Sequence, residues 1–226
     1  MNFFDKVGIM FQDYGNLILT GFQNTLLIAV CATLIGIVIG TIIAAIKIVP
    51  QNNFLVKILS KIADLYVVVF RGTPIVVQLL IMYFVVITNN LPEIVTAIIT
   101  FGLNSGAYVS ENMRSGILAV DKGQMEAARS LGMGYGTAMF KVVLPQAIKH
   151  AIPNLGNEFI ALLKETSVAG FITVRDLTKV IQGIIASTYY VVVPYIVLAA
   201  IYLVLVLFFT GILRLIERRL RKGESR

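Results

Sequence analysis

The sequence predicts an all-α integral membrane protein with about five transmembrane helices, and three observations lead to this fold class. Hydrophobic residues make up 58% of the 226 residues and charged residues 14%, whereas soluble domains are about 45–50% apolar and about 25% charged. The mean hydropathy is +0.86. Apolar stretches of bilayer length, about 20 residues each, alternate with short segments that hold most of the charges. Residues 1–226 are therefore expected to form a single transmembrane domain.

The N-terminal region is predicted to contain an amphipathic segment followed by the first span. Residues 1–15 bring most of their apolar side chains near one helical face, which favours an interfacial helix lying on the membrane; a disordered tail is the alternative. No charge occurs from Tyr14 through the predicted first span at 23–46. Gly36 and Gly40 form a GxxxG pair in this span, which allows close helix packing.

The second and third spans, predicted at 62–87 and 94–120, contain polar residues at membrane depth. Pro74 frees a backbone carbonyl in the second span, and an arginine facing lipid is costly, so Arg71 should face the bundle interior or a watery cavity. The third span holds Glu111 among small residues, and this carboxylate also needs a polar setting.

The longest interruption between apolar stretches, residues 121–153, is basic, glycine-rich and strongly patterned. Asp121 can cap a short helix, with Gln124 placed as in a capping box. Gly132 stands where a glycine ends a helix. Three residues at a spacing of three form one apolar stripe, namely Met125, Ala128 and Leu131.

A second short helix is predicted after Gly132. It should end at Leu144, because the residue before a proline, here Pro145, disfavours the helical conformation. Two helices joined by a glycine hinge and held between two spans form a surface suited to contact something in the cytoplasm.

The fourth and fifth spans are predicted at 154–171 and 191–213, with an amphipathic surface segment at 173–190 between them. Of the 19 basic residues, 14 fall in the first loop, the long loop and the tail, where Lys222 and Arg226 are the last two. Five spans place these three regions on one side of the membrane. The positive-inside rule then predicts an outside N-terminus and a cytoplasmic C-terminus.

Several classes of function lack their sequence signatures. The chain contains no GxxxxGK[ST] phosphate loop, no CxxC, no HExxH and no GxSxG. Cys31 lies within an apolar run and is interpreted as a small buried hydrophobe. His150 is interpreted as a surface residue beside the long loop. No catalytic residue, no metal site and no cofactor are therefore predicted on this chain, and the net charge of +7 is attributed to membrane orientation rather than to nucleic-acid binding.

Polar residues from three spans suggest a shared cavity through which a solute passes. Charges of both signs suit a zwitterion, because a carboxylate can meet an ammonium and an arginine can meet a carboxylate. We expect Glu111 or Glu158 to meet the ammonium. The alternative is that these charges pair with each other and only fix helix packing. The candidate path comprises Arg71, Thr73, Pro74, Gln78, Tyr108, Glu111, Glu158, Thr166 and Ser167.

Four motifs carry a resemblance to a known family. Residues 121–153 contain Glu126-Ala127-Ala128, three residues, Gly132, nine residues and Val142-x-Leu144-Pro145. This pattern resembles the EAA loop of ABC-importer permease subunits, with valine where isoleucine is commoner. Over nearly its full length the chain is similar to permeases of polar amino-acid importers, and Glu165 stands where aspartate is commoner. The other motifs are FRGTPIVVQLL at 70–80, GAYVSENMRSGI at 106–117 and PNLGNEFIALLKETSVAG at 153–170.

This resemblance implies a transporter subunit in a bacterial or archaeal cell (inner) membrane. It implies five spans, a second identical or paralogous permease, two cytoplasmic ATPase subunits that carry ATP and magnesium, and an extracytoplasmic binding protein. Such a complex moves a polar or charged L-amino acid inward by alternating access. The residues implied to dock the ATPase are Glu126, Ala127, Ala128, Gly132, Leu144 and Pro145.

Two other functions are weighed against this interpretation. A secondary transporter or channel for small solutes could also carry buried charges, but it would need no ATPase and would use a proton or sodium path. A structural or sensory membrane subunit is the second alternative. The EAA-spaced loop discriminates against both, since neither class has a reason to carry it.

Overall fold

A computed structural model describes residues 2–50, 53–88 and 90–221, and the regular secondary structure of these residues is entirely helical. Within these ranges there are nine α-helices and no strand, as the sequence predicts. The helices are α1 Phe3–Ile48, α2 Phe54–Gly72, α3 Ile75–Ile81, α4 Glu93–Leu118, α5 Lys122–Ser130, α6 Tyr135–Ala138, α7 Leu144–Glu165, α8 Leu177–Thr188 and α9 Val192–Arg221.

The helix α1 joins the predicted interfacial segment 1–15 and the predicted span 23–46 into one continuous element of 46 residues. The two segments are not separated, because no proline occurs before Pro50 and the glycines between them are tolerated within the helix. At 1.5 Å per residue the helix is about 69 Å long, which is more than twice the hydrocarbon thickness of about 30 Å. Its first turns therefore extend beyond the hydrophobic layer or along its surface.

The predicted second span at 62–87 is broken rather than continuous. The helix α2 ends at Gly72, α3 starts at Ile75, a π-helical turn Met82–Val86 follows, and the two helical segments meet at 108°. Pro74 causes this break, since it donates no N–H and drives the preceding residue into the extended region. Thr73 accordingly has φ −119° and ψ 146°.

The helices α1 and α4 pack closely through the predicted GxxxG pair. A Cβ atom on Gly36 would lie 2.6 Å from Ser105 Oγ, and one on Gly40 would lie 2.5 Å from Val109 Cγ1. Only glycine fits at such distances, so the interpretation of this pair as a packing motif is supported. The main apolar core continues from here to α7, where Leu162 is fully buried.

The helix predicted to end at Leu144 continues instead. Tyr135–Ala138, a π-helical turn Met139–Val143 and α7 follow one another without a gap. The expected stop was wrong, since Leu144 keeps a helical conformation (φ −61°, ψ −41°) at the end of the π-helical turn although Pro145 follows it. The predicted fourth span at 154–171 corresponds to the end of α7 and a 3₁₀ turn, Thr166–Ile172.

Asp176 anchors α8, which corresponds to the predicted amphipathic segment 173–190. Its carboxylate accepts hydrogen bonds from the backbone N–H groups of Thr178 (2.9 Å) and Lys179 (3.1 Å). The N–H of Leu177 donates to Thr25 Oγ1 on α1 (3.1 Å). The side chain of Asp176 is fully buried, and this burial raises its pKa to about 6.

Two helices among the described residues, α1 and α9, are long and apolar enough to cross a membrane, and the bent pair α2–α3 gives a third if it counts as one span. Apart from residue 191, the predicted fifth span at 191–213 lies within α9. The predicted third and fourth spans correspond to α4 and α7, whose polar and small residues are buried against other helices and lower their hydropathy. Five spans and the orientation of the termini stay predictions, and Lys222 and Arg226 lie outside the described residues.

Candidate functional site

The loop at 121–153 presents the short helix α5, whose two ends are fixed locally. Asp121 Oδ1 accepts from the N–H of Gly123 (2.7 Å). Gly132 has φ +85°, a left-handed conformation that favours glycine. Its N–H donates to Arg129 O (3.0 Å) and that of Met133 to Ala128 O (3.2 Å), so the predicted C-terminal glycine cap is confirmed.

The predicted capping box is replaced by a longer-range contact. Gln124 Oε1 accepts from Gln146 Nε2 on α7 (3.3 Å), which ties α5 to the base of that helix. Gln146 Nε2 also donates to Val142 O (2.9 Å). The start of α5 is thus positioned by α7.

One side of α5 packs on the protein and the other is free. Ala128 is buried, and Met125 packs near an apolar cluster at the base of α4 and α7. Leu131, predicted to share their stripe, is instead 81% exposed. Glu126, Ala127 and Gly132 are exposed as well. The loop therefore carries a solvent-facing surface that includes an exposed apolar side chain, as a docking element would.

Leu144 and Pro145 lie at the start of α7. Leu144 is half-buried and Pro145 is exposed. Phe140, one turn earlier, is 71% exposed. The second half of the loop thus also leaves a large apolar side chain uncovered by this chain.

Two residues of the predicted path, Arg71 and Tyr108, come together from two helices. The guanidinium carbon of Arg71, at the end of α2, lies 5.1 Å from the ring centroid of Tyr108 on α4. Glu158, on α7, is half-buried. A cation and a carboxylate are the groups that can meet the two charged ends of a zwitterion.

Thr73, Pro74 and Gln78 form the corner between α2 and α3. Gln78 is 8% exposed, and its Nε2 donates to Phe70 O (2.9 Å), Thr73 O (3.0 Å) and Thr73 Oγ1 (2.8 Å). The polar groups of this corner therefore bond to one another. Asn104 on α4, which was not among the predicted site residues, completes the corner by donating to Phe70 O and Gln78 Oε1, both at 3.0 Å.

Glu111 belongs to a separate ionic group rather than to the cluster at Arg71. Its carboxylate is bound by Lys47 Nζ at 2.8 Å and by Arg114 at 2.7 Å, and Lys47 also contacts Asp64 at 2.9 Å. The expectation that Glu111 could meet an ammonium stays a prediction, and cations of this chain already bind its oxygens. The alternative of mutual pairing describes this residue. Lys47, Asp64 and Arg114 were not assigned to this ionic group from the sequence. The available signal was Lys47, an isolated lysine at the end of an uncharged run.

Thr166 and Ser167 lie where α7 becomes the 3₁₀ turn. Thr166 is fully buried and its hydroxyl donates to Leu163 O (2.9 Å), so it satisfies a backbone carbonyl at the C-terminal end of α7. Ser167 lines a cavity of about 320 Å³ with Thr178, Lys179 and other residues. Within the described residues, no group of three or more His, Cys, Asp or Glu side chains is placed to hold a metal ion.

Comparison with known proteins identifies the family. Residues 36–222 match the family of binding-protein-dependent transport system inner membrane components. The chain belongs to this family. Its members are permease subunits of transporters and not catalytic enzymes, and the family name places the chain in a membrane.

Similar proteins extend over almost the whole chain. The chain is 40% identical over 215 residues to the arginine transport system permease protein ArtQ of Bacillus subtilis (strain 168), covering 92% of this chain and 94% of ArtQ. It is 41% identical over 206 residues to a putative glutamine transport system permease protein of Rickettsia bellii (strain RML369-C), covering 90% and 92%. The crystal structure of an amino acid ABC transporter with histidines superposes with a TM-score of 0.87 at 41% identity, covering 97% of this chain and 99% of that one.

Proposed function

We propose that this chain is the membrane-spanning subunit of an ATP-driven importer that moves a polar or charged L-amino acid into the cell by alternating access. The observation that carries the proposal is the similarity of about 40% identity, over nine-tenths of both chains, to permeases named for arginine and glutamine. The exposed surface of α5 supports an ATPase partner. These observations favour this function over a secondary transporter or channel, which has no use for an ATPase-docking loop.

The proposed assembly contains a second permease, identical or paralogous, together with two cytoplasmic ABC ATPase subunits and an extracytoplasmic binding protein. ATP and magnesium bind the ATPase subunits, and this chain carries no cofactor. It lies in the cell (inner) membrane of a bacterium or archaeon, with five spans, an outside N-terminus and a cytoplasmic C-terminus. The EAA loop then faces the ATPases.

The proposed substrate path runs past Arg71, Tyr108 and Glu158. Arg71 binds the substrate carboxylate, and Glu158 binds its ammonium. Charge-assisted hydrogen bonds of this kind contribute about 1.5–3 kcal/mol each. Glu158 is preferred over Glu111 for this role because Glu111 is held by Lys47 and Arg114.

Uptake by the reconstituted complex tests the proposal. The chain, its co-purifying ATPase subunits and its binding protein are placed in proteoliposomes, and accumulation of arginine, histidine, glutamine and cystine is measured with and without ATP. We expect ATP-dependent uptake of at least one of them, and a loss of about tenfold or more in Glu158→Gln. Glu93→Gln, an exposed position at the start of α4, is the matched control. Failure of every amino acid to accumulate or to stimulate ATP hydrolysis would refute the function.

A further inference from the structure

The corner between α2 and α3 has a missing hydrogen bond that two side-chain amides replace. In a continuous helix the carbonyl of Phe70 would accept from the N–H of residue 74. Residue 74 is a proline and has no N–H. Gln78 Nε2 and Asn104 Nδ2 donate to this carbonyl instead, at 2.9 and 3.0 Å.

The two amides also bind each other. Asn104 Nδ2 donates to Gln78 Oε1 at 3.0 Å, so both of its N–H bonds are used. Asn104 is 4% exposed and Gln78 is 8% exposed. In a bilayer, where water does not compete, unsatisfied backbone groups are costly, and this amide pair therefore fixes the geometry of the corner.

The amide pair acts on a functional neighbour, since Arg71 directly follows Phe70. Asn104 and Tyr108 are four residues apart on α4 and share one helical face. The same helix thus holds the Phe70 carbonyl and supplies the ring over which the Arg71 guanidinium lies. Tyr66 strengthens this attachment, because its hydroxyl donates to Leu103 O and its ring packs 4.7 Å from that of Phe70.

We infer that Asn104 and Gln78 are positioning residues for substrate recognition: by holding the Phe70 carbonyl they direct the Arg71 guanidinium towards the substrate carboxylate. The inference rests on the proposed function, in which Arg71 binds that carboxylate. Neither amide touches the substrate. Their contribution is to keep Arg71 on the Tyr108 ring.

An amino acid whose carboxylate is blocked as an amide distinguishes a role of the two amides in positioning Arg71 from a role in protein stability alone. Binding to the permease–ATPase complex in nanodiscs is measured without the binding protein, using L-arginine against L-argininamide and L-glutamine against L-glutaminamide. The preference for the free carboxylate is the ratio of the two dissociation constants. Variants are Arg71→Ala, Asn104→Leu, Gln78→Met and the double variant Arg71→Ala/Asn104→Leu. Ser110→Ala is the control, because Ser110 is a buried residue of α4 that donates only to Ala107 O.

We expect Asn104→Leu and Gln78→Met each to lower this preference by about tenfold, as Arg71→Ala does. The double variant should lose no more than Arg71→Ala alone, because the amides act through the arginine. Ser110→Ala should keep the wild-type ratio.

Two results would overturn the inference. If the amide variants melt at lower temperature but keep the wild-type preference, the pair is structural only, while the proposed role of Arg71 stands. If Arg71→Ala itself keeps the preference, both the inference and the proposed carboxylate site fail. Should Asn104→Leu not assemble, Gln78→Met alone decides, since it removes the second donor to the same carbonyl.

Discussion

Gly40 lies at a close contact between α1 and α4, and we expect alanine at this position to destabilise the protein. A Cβ atom there would lie 2.5 Å from Val109 Cγ1 and 2.8 Å from the carbonyl oxygen of Gly106. Non-bonded carbon atoms pack at about 3.5–4.0 Å, so the side chain of Val109 must move and the helices must separate. Overpacking costs about 1–3 kcal/mol. The backbone oxygen cannot rotate away, which places Gly40→Ala in the upper part of that range.

Thermal unfolding of the reconstituted complex measures this effect. For a chain of this size a loss of about 2–3 kcal/mol corresponds to a fall in Tm of roughly 4–12 °C. Gly15→Ala is the control: it makes the same change in the same helix, and a Cβ there has no neighbour within 4 Å. It should keep or raise the Tm, since alanine is the better helix former by about 0.5–1 kcal/mol. Adding Val109→Ala to Gly40→Ala should restore part of the loss. Equal melting temperatures for Gly40→Ala and Gly15→Ala would refute the close contact.

Three further predictions concern the loop, the ionic group and α8. Gly132→Val should reduce ATPase co-purification while Gly134→Val does not, because only Gly132 has a positive φ; equal co-purification of both variants would contradict the docking role. Lys47→Met should destabilise the protein by about 1–3 kcal/mol, since it removes one of the two cations that bind the half-buried Glu111 carboxylate. Lys57→Met, at an exposed site, should not destabilise it, and equal denaturation midpoints of the two variants would contradict this. Burial raises the pKa of Asp176 from 3.8 to about 6. The protonated carboxyl therefore stabilises the folded state by up to about 3 kcal/mol below pH 4, and this stabilisation is lost as the pH rises through 6. Asp176→Asn should flatten that part of the pH dependence of Tm, and an unchanged profile would exclude it.

Features that depend on local sequence were predictable. The cap at Gly132 follows from one helix end and the conformational freedom of glycine, and the structure confirms it. The close packing at Gly36 and Gly40 follows from a four-residue spacing. The break at Pro74 was only half predicted: the freed carbonyl was expected, but the bend of 108° was not. A proline signals that a hydrogen bond is lost and does not signal which group replaces it.

Features that depend on which helices are neighbours were not predictable from the residues. Lys47 and Glu111 are 64 positions apart, and nothing in either segment indicates that the two will pair. Asn104 resembles any polar residue in a small-residue helix. Its role emerges only when α4 is seen beside the Pro74 corner. Which charges pair and which group replaces a lost hydrogen bond depend on how the helices pack. The pattern within one segment therefore could not predict the partners of Glu111 or Asn104.

The contact between α4 and α7 supplies a direct route from the loop to the path. A Cβ on Gly116 would lie 2.8 Å from Ala147 O, so these helices touch where the loop leaves and re-enters the bundle. Tyr108 lies about 12 Å from Gly116 along α4, and Glu158 about 16 Å from Ala147 along α7, at 1.5 Å per residue. In the proposed importer a displacement of α5 therefore moves the bases of both helices together, and the amides that bind Phe70 to α4 make Arg71 follow Tyr108.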